Sequence, residues 1–296
     1  MAAIHPELKE GNLKLVGLCI DRILTKELRA FDAHSWGSDP LDALDAGGQP
    51  HLAYFGYLNL LLSMERSLKS DSPHAELNDK VTKFLAESFE RSSILLLETY
   101  PGEIYPVDNC AAIGSIGLYD KATGSDHSGL LRRWSAKCKA SYIDAKTGLL
   151  FQAVSRGGAP FDGPRGSGSA LGLYMLSFAD LELSTGLYTA LKRELASTCL
   201  SFGAVREYPR GLSGRMDIDS GPIIFGYGFS ATGFSMAGSR IFNDKAYFKR
   251  LFATSVFAGA PHERDGGRVF VTGGPLGSAI LFAMSTAQRE GGRERR

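Results

Sequence analysis

Two kinds of hydrophobic pattern alternate along the chain, and they predict two kinds of helix. Segments such as HAELNDKVTKFLAESFERS and KAYFKRLFATSVF place apolar residues at helical spacing with charged residues between them, as expected of helices with one face on a core. Others, such as CAAIGSIGLYD, SALGLYMLSFAD and IIFGYGFSATGFSMAGS, are apolar nearly all round, which predicts burial on every side. Each glycine in a helix interior costs about 0.5–1 kcal/mol, so we expect these glycines to permit close helix–helix approach.

A loop rich in Gly, Pro and polar or acidic residues leads into each apolar helix, and this unit occurs five times. The loops are WGSDPLDALDAGGQP, YPGEIYPVDN, GGAPFDGPRGSG, GRMDIDSG and RVFVTGG. The helices after them are predicted to begin near Leu52, Asn109, Ser169, Pro222 and Pro275. A nearly constant spacing of this kind indicates a repeat architecture.

The alternation of buried and amphipathic helices predicts an all-α fold, an α/α toroid of five to six helix pairs. A single α/α-barrel domain is expected over residues 1–288, followed by a disordered tail over 289–296. The first amphipathic helix is predicted from about Gly11 to Phe31. The runs LLFQAV, AVREYP and RVFVT predict short β hairpins in the loops at one end of the ring.

Composition narrows the classes of function. The net charge is +1, which favours neither nucleic acid nor an anionic membrane surface as a partner. The chain has no apolar run long enough for a membrane span and no signal peptide pattern at its N-terminus, so a cytoplasmic protein is expected. The four cysteines form no CxxC pair, and no metal site or cofactor is expected. Cys19, Cys138 and Cys199 are predicted to be small core residues of helices.

The outer-to-inner loops of a toroid meet at one end, where we expect one acidic pocket for a small-molecule substrate. The YPGEIYPVDN loop contributes Glu103, Tyr105 and Asp108, candidates for acid–base catalysis because burial raises the pKa of a carboxyl group. Asn109 is a candidate for substrate binding, although it or Asp108 could instead be a helix N-cap. Cys110 could be a binding thiol activated by a helix N-terminus or a small buried residue.

The next two loops add further candidates. Arg165 and Ser167 precede a buried helix, where the guanidinium could clamp a carboxylate or phosphate or simply pair with the preceding aspartate in a turn. In GRMDIDSG, Asp217 is a candidate acid or base, and Arg215 and Asp219 are candidates for substrate binding. The alternative for this loop is helix capping with a surface salt bridge.

Four more positions complete the predicted site. Trp36 and Asp39 lie in the first loop and are candidates for substrate binding. Tyr57 is predicted one turn or so into the first inner helix, where it could assist catalysis. Tyr227 is predicted similarly on the fourth inner helix and could contact substrate, although aromatic residues at such positions more often belong to a core.

The run WGSDPLDAL…AYFGYLNLLLSM, followed by VDNCAAIGSIGLYD, resembles the linalool dehydratase/isomerase family. That family has a Gly-Thr-Asp-Pro loop, a Tyr-x-Gly-His-Leu-Asn-Leu helix and, about fifty residues later, a polar loop entering a helix that ends near Tyr-Asp. The resemblance covers about Trp36 to Leu200. It implies an α/α six-barrel and cofactor-free dehydration and isomerisation of a terpene alcohol.

The chain departs from the family pattern at the positions that carry the chemistry. The family's catalytic His matches Tyr57, and a family pocket Cys falls at or beside Asp108, with Cys110 two residues on. A family Glu has a possible counterpart in Glu103. The family's first helix pair carries an Asp, a Tyr and a Cys used in catalysis, and this chain begins after the matching segment, so a second copy or a partner subunit could supply those helices.

Three functions follow from these observations. The first is a cofactor-independent lyase or isomerase that acts on a small hydroxylated substrate such as a terpenoid, with Asp108 and Glu103 as proton donor and acceptor. The second is a carbohydrate-active enzyme, either a glycosidase, a polysaccharide lyase or a uronyl epimerase, which would use paired carboxylates. The third is a non-catalytic subunit that completes a barrel with a partner or in a homo-oligomer.

Overall fold

The computed structural model describes residues 5–217, 220–264 and 266–289, which are mostly helical with short two-stranded hairpins between helices. The chain forms two compact units. The first comprises Met1–Ile143, Phe151–Gly163 and Met175–Leu183, and the second comprises Asp144–Leu150, Pro164–Tyr174 and Ser184–Arg296. Within the described ranges, no helix combines the length and apolar character needed to cross a bilayer.

The first unit contains a short 3-10 helix (Pro6–Leu8) and seven α-helices. These are α1 (Lys9–Ile23), α2 (Lys26–Trp36), α3 (Pro40–Ala46), α4 (Leu52–Leu68), α5 (Ala75–Arg91), α6 (Pro106–Thr123) and α7 (Ser128–Ser141). Strand β1 (Phe151–Val154) pairs with β2 (Pro160–Pro164), whose last residue falls in the second unit. The prediction of one helix from Gly11 to Phe31 is wrong, because Thr25 is extended and serves as the N-cap of α2.

Helices α4 and α6 form the centre of the first unit. Nearly every residue of α6 from Asn109 to Tyr119 is buried, as its apolar composition predicts. A Cβ added at Gly117 would lie 2.6 Å from the Cα of Ala179, and one at Gly114 would collide with the Met175 carbonyl. The prediction that glycines in this helix permit close approach is therefore confirmed.

A buried polar network ties α4 to α5 and α6. The Asn59 amide donates to Ser115 Oγ at 2.9 Å and accepts from the Asn78 amide at 2.9 Å and from Thr82 Oγ1 at 3.1 Å. All four side chains are almost fully buried. Because buried polar groups are costly when unpaired, the network fixes how these three helices pack.

The second unit begins with most of α8 (Gly166–Leu176) and α9 (Leu181–Glu194). Three antiparallel hairpins follow, β3–β4 (Ala196–Cys199, Phe202–Val205), β5–β6 (Ile223–Ile224, Tyr227–Gly228) and β7–β8 (Pro261–Arg264, Gly267–Phe270). Its other helices are α10 (Phe229–Ile241), α11 (Lys245–Gly259) and α12 (Gly274–Thr286). Strands were predicted at or beside β1, β4 and β8, and these predictions are confirmed.

Two helix boundaries differ from the prediction. Helix α10 starts at Phe229 rather than near Pro222, because Phe225 and Gly226 adopt positive φ angles of 51° and 84° and turn the chain into the β5–β6 hairpin. Helix α9 stops at Glu194, and the expected last turn becomes β3. Cys199 therefore lies on a strand and is exposed, and Cys19 is exposed on α1, so only Cys138 is the core residue predicted.

Helices α8, α9 and α10 meet closely in the second unit. A Cβ at Gly238 would lie 2.7 Å from the Tyr188 ring, and Ser184 Oγ donates to the Leu173 carbonyl at 2.6 Å. Asp244 caps α11 and accepts from both Tyr188 and Lys192, at 3.0 and 2.8 Å. These contacts give the unit a packed core beneath the hairpins.

Candidate functional site

In the second unit, Glu207 is held by its backbone between two elements. It follows Arg206, the residue after β4, its carbonyl accepts from Gly166 N–H at the start of α8 at 2.7 Å, and its own N–H donates to the Gly226 carbonyl at 3.0 Å. Gly226 is the turn of the β5–β6 hairpin. The hairpin and the helix start therefore fix the position of Glu207.

The Glu207 side chain is a fully buried carboxyl group. Ser167 Oγ donates to its Oε1 at 2.5 Å, while its Oε2 has no hydrogen-bond partner in the part of the chain that the structure describes. Burial raises the pKa of Glu207 from its ordinary value of 4.5 to about 7, against the lowering effects of Ser167 and the Arg165 charge. A carboxyl group of this kind carries a proton at neutral pH in part of the molecules.

Arg165, Ser167, Glu207 and Asp217 form a cluster in the second unit. Asp217 is its second carboxylate, and its environment lowers its pKa instead of raising it. It forms an ion pair with Arg165 and accepts from Ser220 N–H at 2.7 Å. Partial burial would raise the pKa of Asp217, but the Ser220 hydrogen bond and the Arg165 charge outweigh it and lower the pKa below 3.8. The cluster thus pairs a carboxyl group that is protonated up to about pH 7 with one that is ionised at neutral pH.

The structure brings several of the predicted candidates into this cluster. Arg165, Ser167 and Asp217 all belong to it, and Arg165 also lies over the Tyr208 ring, 5.4 Å from the centroid. Arg165 pairs with Asp217, a partner 52 residues away in sequence. The guanidinium therefore joins two loops of the unit.

Three other predicted residues of this unit have different outcomes. Tyr227 lies on strand β6 rather than on a helix, because the hairpin replaces the first two turns expected there, and Arg206 stands over its ring. The Arg215 side chain is exposed, and its carbonyl accepts from Tyr208 Oη at 2.8 Å. Asp219 lies outside the described residues.

The first unit holds a separate cluster around Asp108, in the first turn of α6. Tyr57 Oη on α4 donates to Asp108 Oδ1 at 2.8 Å, and Thr99 Oγ1 donates to Oδ2 at 3.1 Å. The structure therefore brings these two candidate residues, Tyr57 and Asp108, into direct contact. Asp108 is not the N-cap of α6, because that position is Tyr105.

Glu103 and Tyr105 pair with each other at the edge of this loop. Tyr105 Oη donates to Glu103 Oε2 at 2.8 Å, and Glu103 is exposed. The Tyr105 N–H donates to Thr99 Oγ1 at 3.3 Å, so Thr99 links it to Asp108. Exposure leaves Glu103 in water, without the low-dielectric pocket that the acid–base hypothesis assigned to it.

Asn109 and Cys110 are fully buried. The Asn109 amide accepts from Leu97 N–H at 2.8 Å and donates to the Leu97 carbonyl at 3.1 Å, which fixes the preceding loop to α6 without capping it. Burial raises the pKa of the Cys110 thiol well above its ordinary value. Of the two alternatives for Cys110, the structure shows the small buried residue.

The first loop is built around Asp39. Its side chain accepts from Leu41 N–H and caps α3, and Arg29 Nε donates to both of its carboxylate oxygens at 3.0 and 3.1 Å. Trp36 is half-buried at the end of α2, with its ring centroid 5.0 Å from that of His51. Asp39 therefore caps α3 and forms an ion pair with Arg29.

A polar groove of the first unit lies elsewhere, between α5 and α7. This groove of about 690 Å³ is lined by charged and polar side chains such as Asp79, Glu87, His127 and Arg133. It contains no residue that the sequence nominated for catalysis.

Sequence reasoning missed Glu207. The residue lies in AVREYP, which predicts a strand and gives no sign of which side chains point inward. A glutamate between Arg206 and Tyr-Pro, in a short predicted strand, was the only local signal. No protein-family model and no curated protein matches the chain.

Proposed function

We propose that the protein is an acid–base enzyme of the lyase or isomerase type, with Glu207 as proton donor and Asp217 as proton acceptor. The observation that carries the proposal is the opposite displacement of two carboxyl pKa values within one cluster of the second unit. Environments that shift the pKa values of two carboxyl groups in opposite directions are typical of acid–base sites.

The chemistry needs no further reagent. The Glu207 carboxyl group protonates the hydroxyl of the substrate, the C–O bond breaks and water leaves. Asp217 then removes a proton from the neighbouring carbon, and the electron pair of that C–H bond forms the alkene. Readdition of water at another carbon by the reverse steps gives an isomer of the starting alcohol.

Apolar surface beside Glu207 supports an apolar alcohol as the substrate. Phe225, 92% exposed at the turn of the β5–β6 hairpin, neighbours the Gly226 carbonyl that binds Glu207 N–H. Ile224 and Met216, on the hairpin and on the Asp217 loop, are 49% and 62% exposed. Large apolar side chains in water are typical of surfaces that bind apolar ligands.

The hairpin must move for a substrate to reach Glu207. A Cβ at Gly228 would lie 2.5 Å from Glu207 Oε2, so the strand backbone rests directly against the carboxyl group. We propose that displacement of the β5–β6 hairpin opens the site and that its return excludes water.

The Tyr57–Asp108 pair is a second candidate location for the same chemistry, since a half-buried carboxylate hydrogen-bonded to a phenol can also move protons. The α/α toroid and the relation to linalool dehydratase/isomerase belong to the proposal as well. The Tyr57–Asp108 pair supports a site at this place, because Tyr57 matches the family's catalytic His and Asp108 falls at or beside a family pocket Cys, although neither residue is conserved in type.

The test is turnover of a panel of tertiary and allylic alcohols, including linalool and geraniol, followed by gas chromatography of the products. The wild type is expected to form alkenes or isomers, with a rate that falls above about pH 7 as Glu207 loses its proton. Glu207→Gln and Asp217→Asn are expected to lower kcat by about 10²-fold or more. Glu182→Gln, at a side chain 86% exposed, is the control.

The variants also locate the chemistry. Full activity in Glu207→Gln together with loss in Asp108→Asn would move the site to the first unit. Absence of turnover across the panel would argue against an alcohol substrate.

A further inference from the structure

The chain between α2 and α4 brings an aspartate, a histidine and a serine into one row. His51 Nδ1 lies 2.5 Å from Asp32 Oδ2, and Ser38 Oγ lies 3.4 Å from His51 Nε2. Asp32 lies on α2, Ser38 follows the left-handed Gly37 that ends α2, and His51 is the N-cap of α4. A hydroxyl, an imidazole and a carboxylate in this order are the parts of an activated serine nucleophile.

Burial within the row suits the role of each group. His51 is 0% exposed and Asp32 is 6% exposed, whereas Ser38 is exposed. When the imidazole donates Nδ1–H to the buried carboxylate, Nε2 keeps its lone pair and faces the serine hydroxyl. The base is therefore held in one orientation beneath a hydroxyl that solvent can reach.

The surroundings hold the row in place. The neighbouring Asp39 is fixed by its ion pair with Arg29 and by capping α3, which anchors the residue after Ser38. His51 itself has a left-handed backbone with φ 42°. A residue other than glycine is strained in this conformation, and such residues are concentrated at functional sites.

An unused donor lies beside the imidazole. The Trp36 Nε1–H is buried and has no acceptor among the residues that the structure describes, and its ring packs on His51. Donors of this kind stabilise the oxyanion that forms when a hydroxyl attacks a carbonyl.

We propose that Ser38, His51 and Asp32 form a nucleophilic site that hydrolyses carboxylic esters, separate from the Glu207 cluster of the second unit. Ser38 Oγ attacks the ester carbonyl while its proton passes to His51 Nε2. The imidazolium gives this proton to the departing alkoxide, which leaves as the alcohol. Water, deprotonated by His51, then attacks the acyl-serine, and the carboxylic acid leaves as Oγ recovers its proton. Asp32 is a positioning residue, because it acts through His51.

The direct test is covalent labelling of the full chain by a fluorophosphonate, whose phosphorus bonds to Oγ as fluoride leaves. Peptide mass spectrometry is expected to find the label on Ser38, and Ser38→Ala is expected to lose it without a change in thermal unfolding. His51→Gln should slow labelling at least 100-fold and Asp32→Asn at least 10-fold. The exposed Ser155 is the internal reference, and labelling of Ser38 at no more than its rate overturns the proposal.

A second measurement covers the case in which a buried variant fails to fold. Ser38→Cys places a thiol beside His51, and iodoacetamide at pH 7 is expected to alkylate it at least 10-fold faster than the exposed Cys19 and Cys199 of the same chain. Adding Asp32→Asn should remove this advantage, which a purely structural role for Asp32 would leave intact. Alkylation at the rate of the two native cysteines contradicts the site.

Discussion

Replacing Glu207 by glutamine should change how stability depends on pH. Glu207 has a pKa of about 7 in the folded protein because it is buried, against 4.5 ordinarily. Between these two values the folded protein keeps a proton that the unfolded chain releases, so the free energy of unfolding falls as pH rises. The interval spans about 2.5 pH units, which at about 1.4 kcal/mol per unit corresponds to about 3.5 kcal/mol, of which about 3 kcal/mol falls between pH 4.5 and 8. Above about pH 7 both states are ionised, and the loss levels off.

Urea unfolding followed by circular dichroism at half-unit steps from pH 4.5 to 8 measures this effect. The wild type is expected to lose about 3 kcal/mol more than Glu207→Gln across the range, because glutamine does not titrate. Glu182→Gln, which removes one exposed charge, is the matched control and should follow the wild type. Parallel curves for the wild type and Glu207→Gln would refute the assignment of a buried, protonated carboxyl group.

Four substitutions test the packing. Gly117→Ala should destabilise the protein by about 1–3 kcal/mol in urea unfolding, because its Cβ would collide with neighbouring backbone, whereas Gly186→Ala, with open space around it, should stabilise by about 0.5–1 kcal/mol. Asn59→Leu should lower the melting temperature and cost about 3 kcal/mol by leaving buried partners unpaired. Asn109→Ala should cost about 2–3 kcal/mol by freeing both polar groups of Leu97, seen as faster amide exchange in that loop. If Gly117→Ala, Asn59→Leu or Asn109→Ala proves as stable as the wild type, that result contradicts the contact that the substitution was meant to disrupt.

The helices were predictable where the pattern is local. Helix α4 begins at Leu52 as predicted, and α6 is apolar on all sides because its neighbours surround it. The start of α10 was not predictable, because Phe225 and Gly226 form a turn. The six residues from Ile223 to Gly228 therefore form a hairpin instead of the first part of the helix. A glycine-rich apolar run is compatible with both outcomes.

The site was harder to predict because it depends on contacts between distant residues. Arg165 and Asp217 were each nominated from their loops, but their pairing joins positions far apart in sequence. Glu207 is buried by Gly228 and the hairpin that carries it, so nothing next to it in sequence signals its raised pKa. Pattern and spacing therefore predict which loops carry candidate residues. Which carboxyl groups have shifted pKa values depends on contacts that form only in the folded protein.

We expect Glu207 to carry an acid proton at neutral pH inside the second unit. Carbon-13 NMR of protein labelled at the glutamate side-chain carboxyl carbons tests it directly, with the Glu207 resonance assigned by its absence from Glu207→Gln. The expected titration midpoint of Glu207 is at about pH 7. A midpoint near 4.5 would contradict it and would leave the cluster without its proton donor.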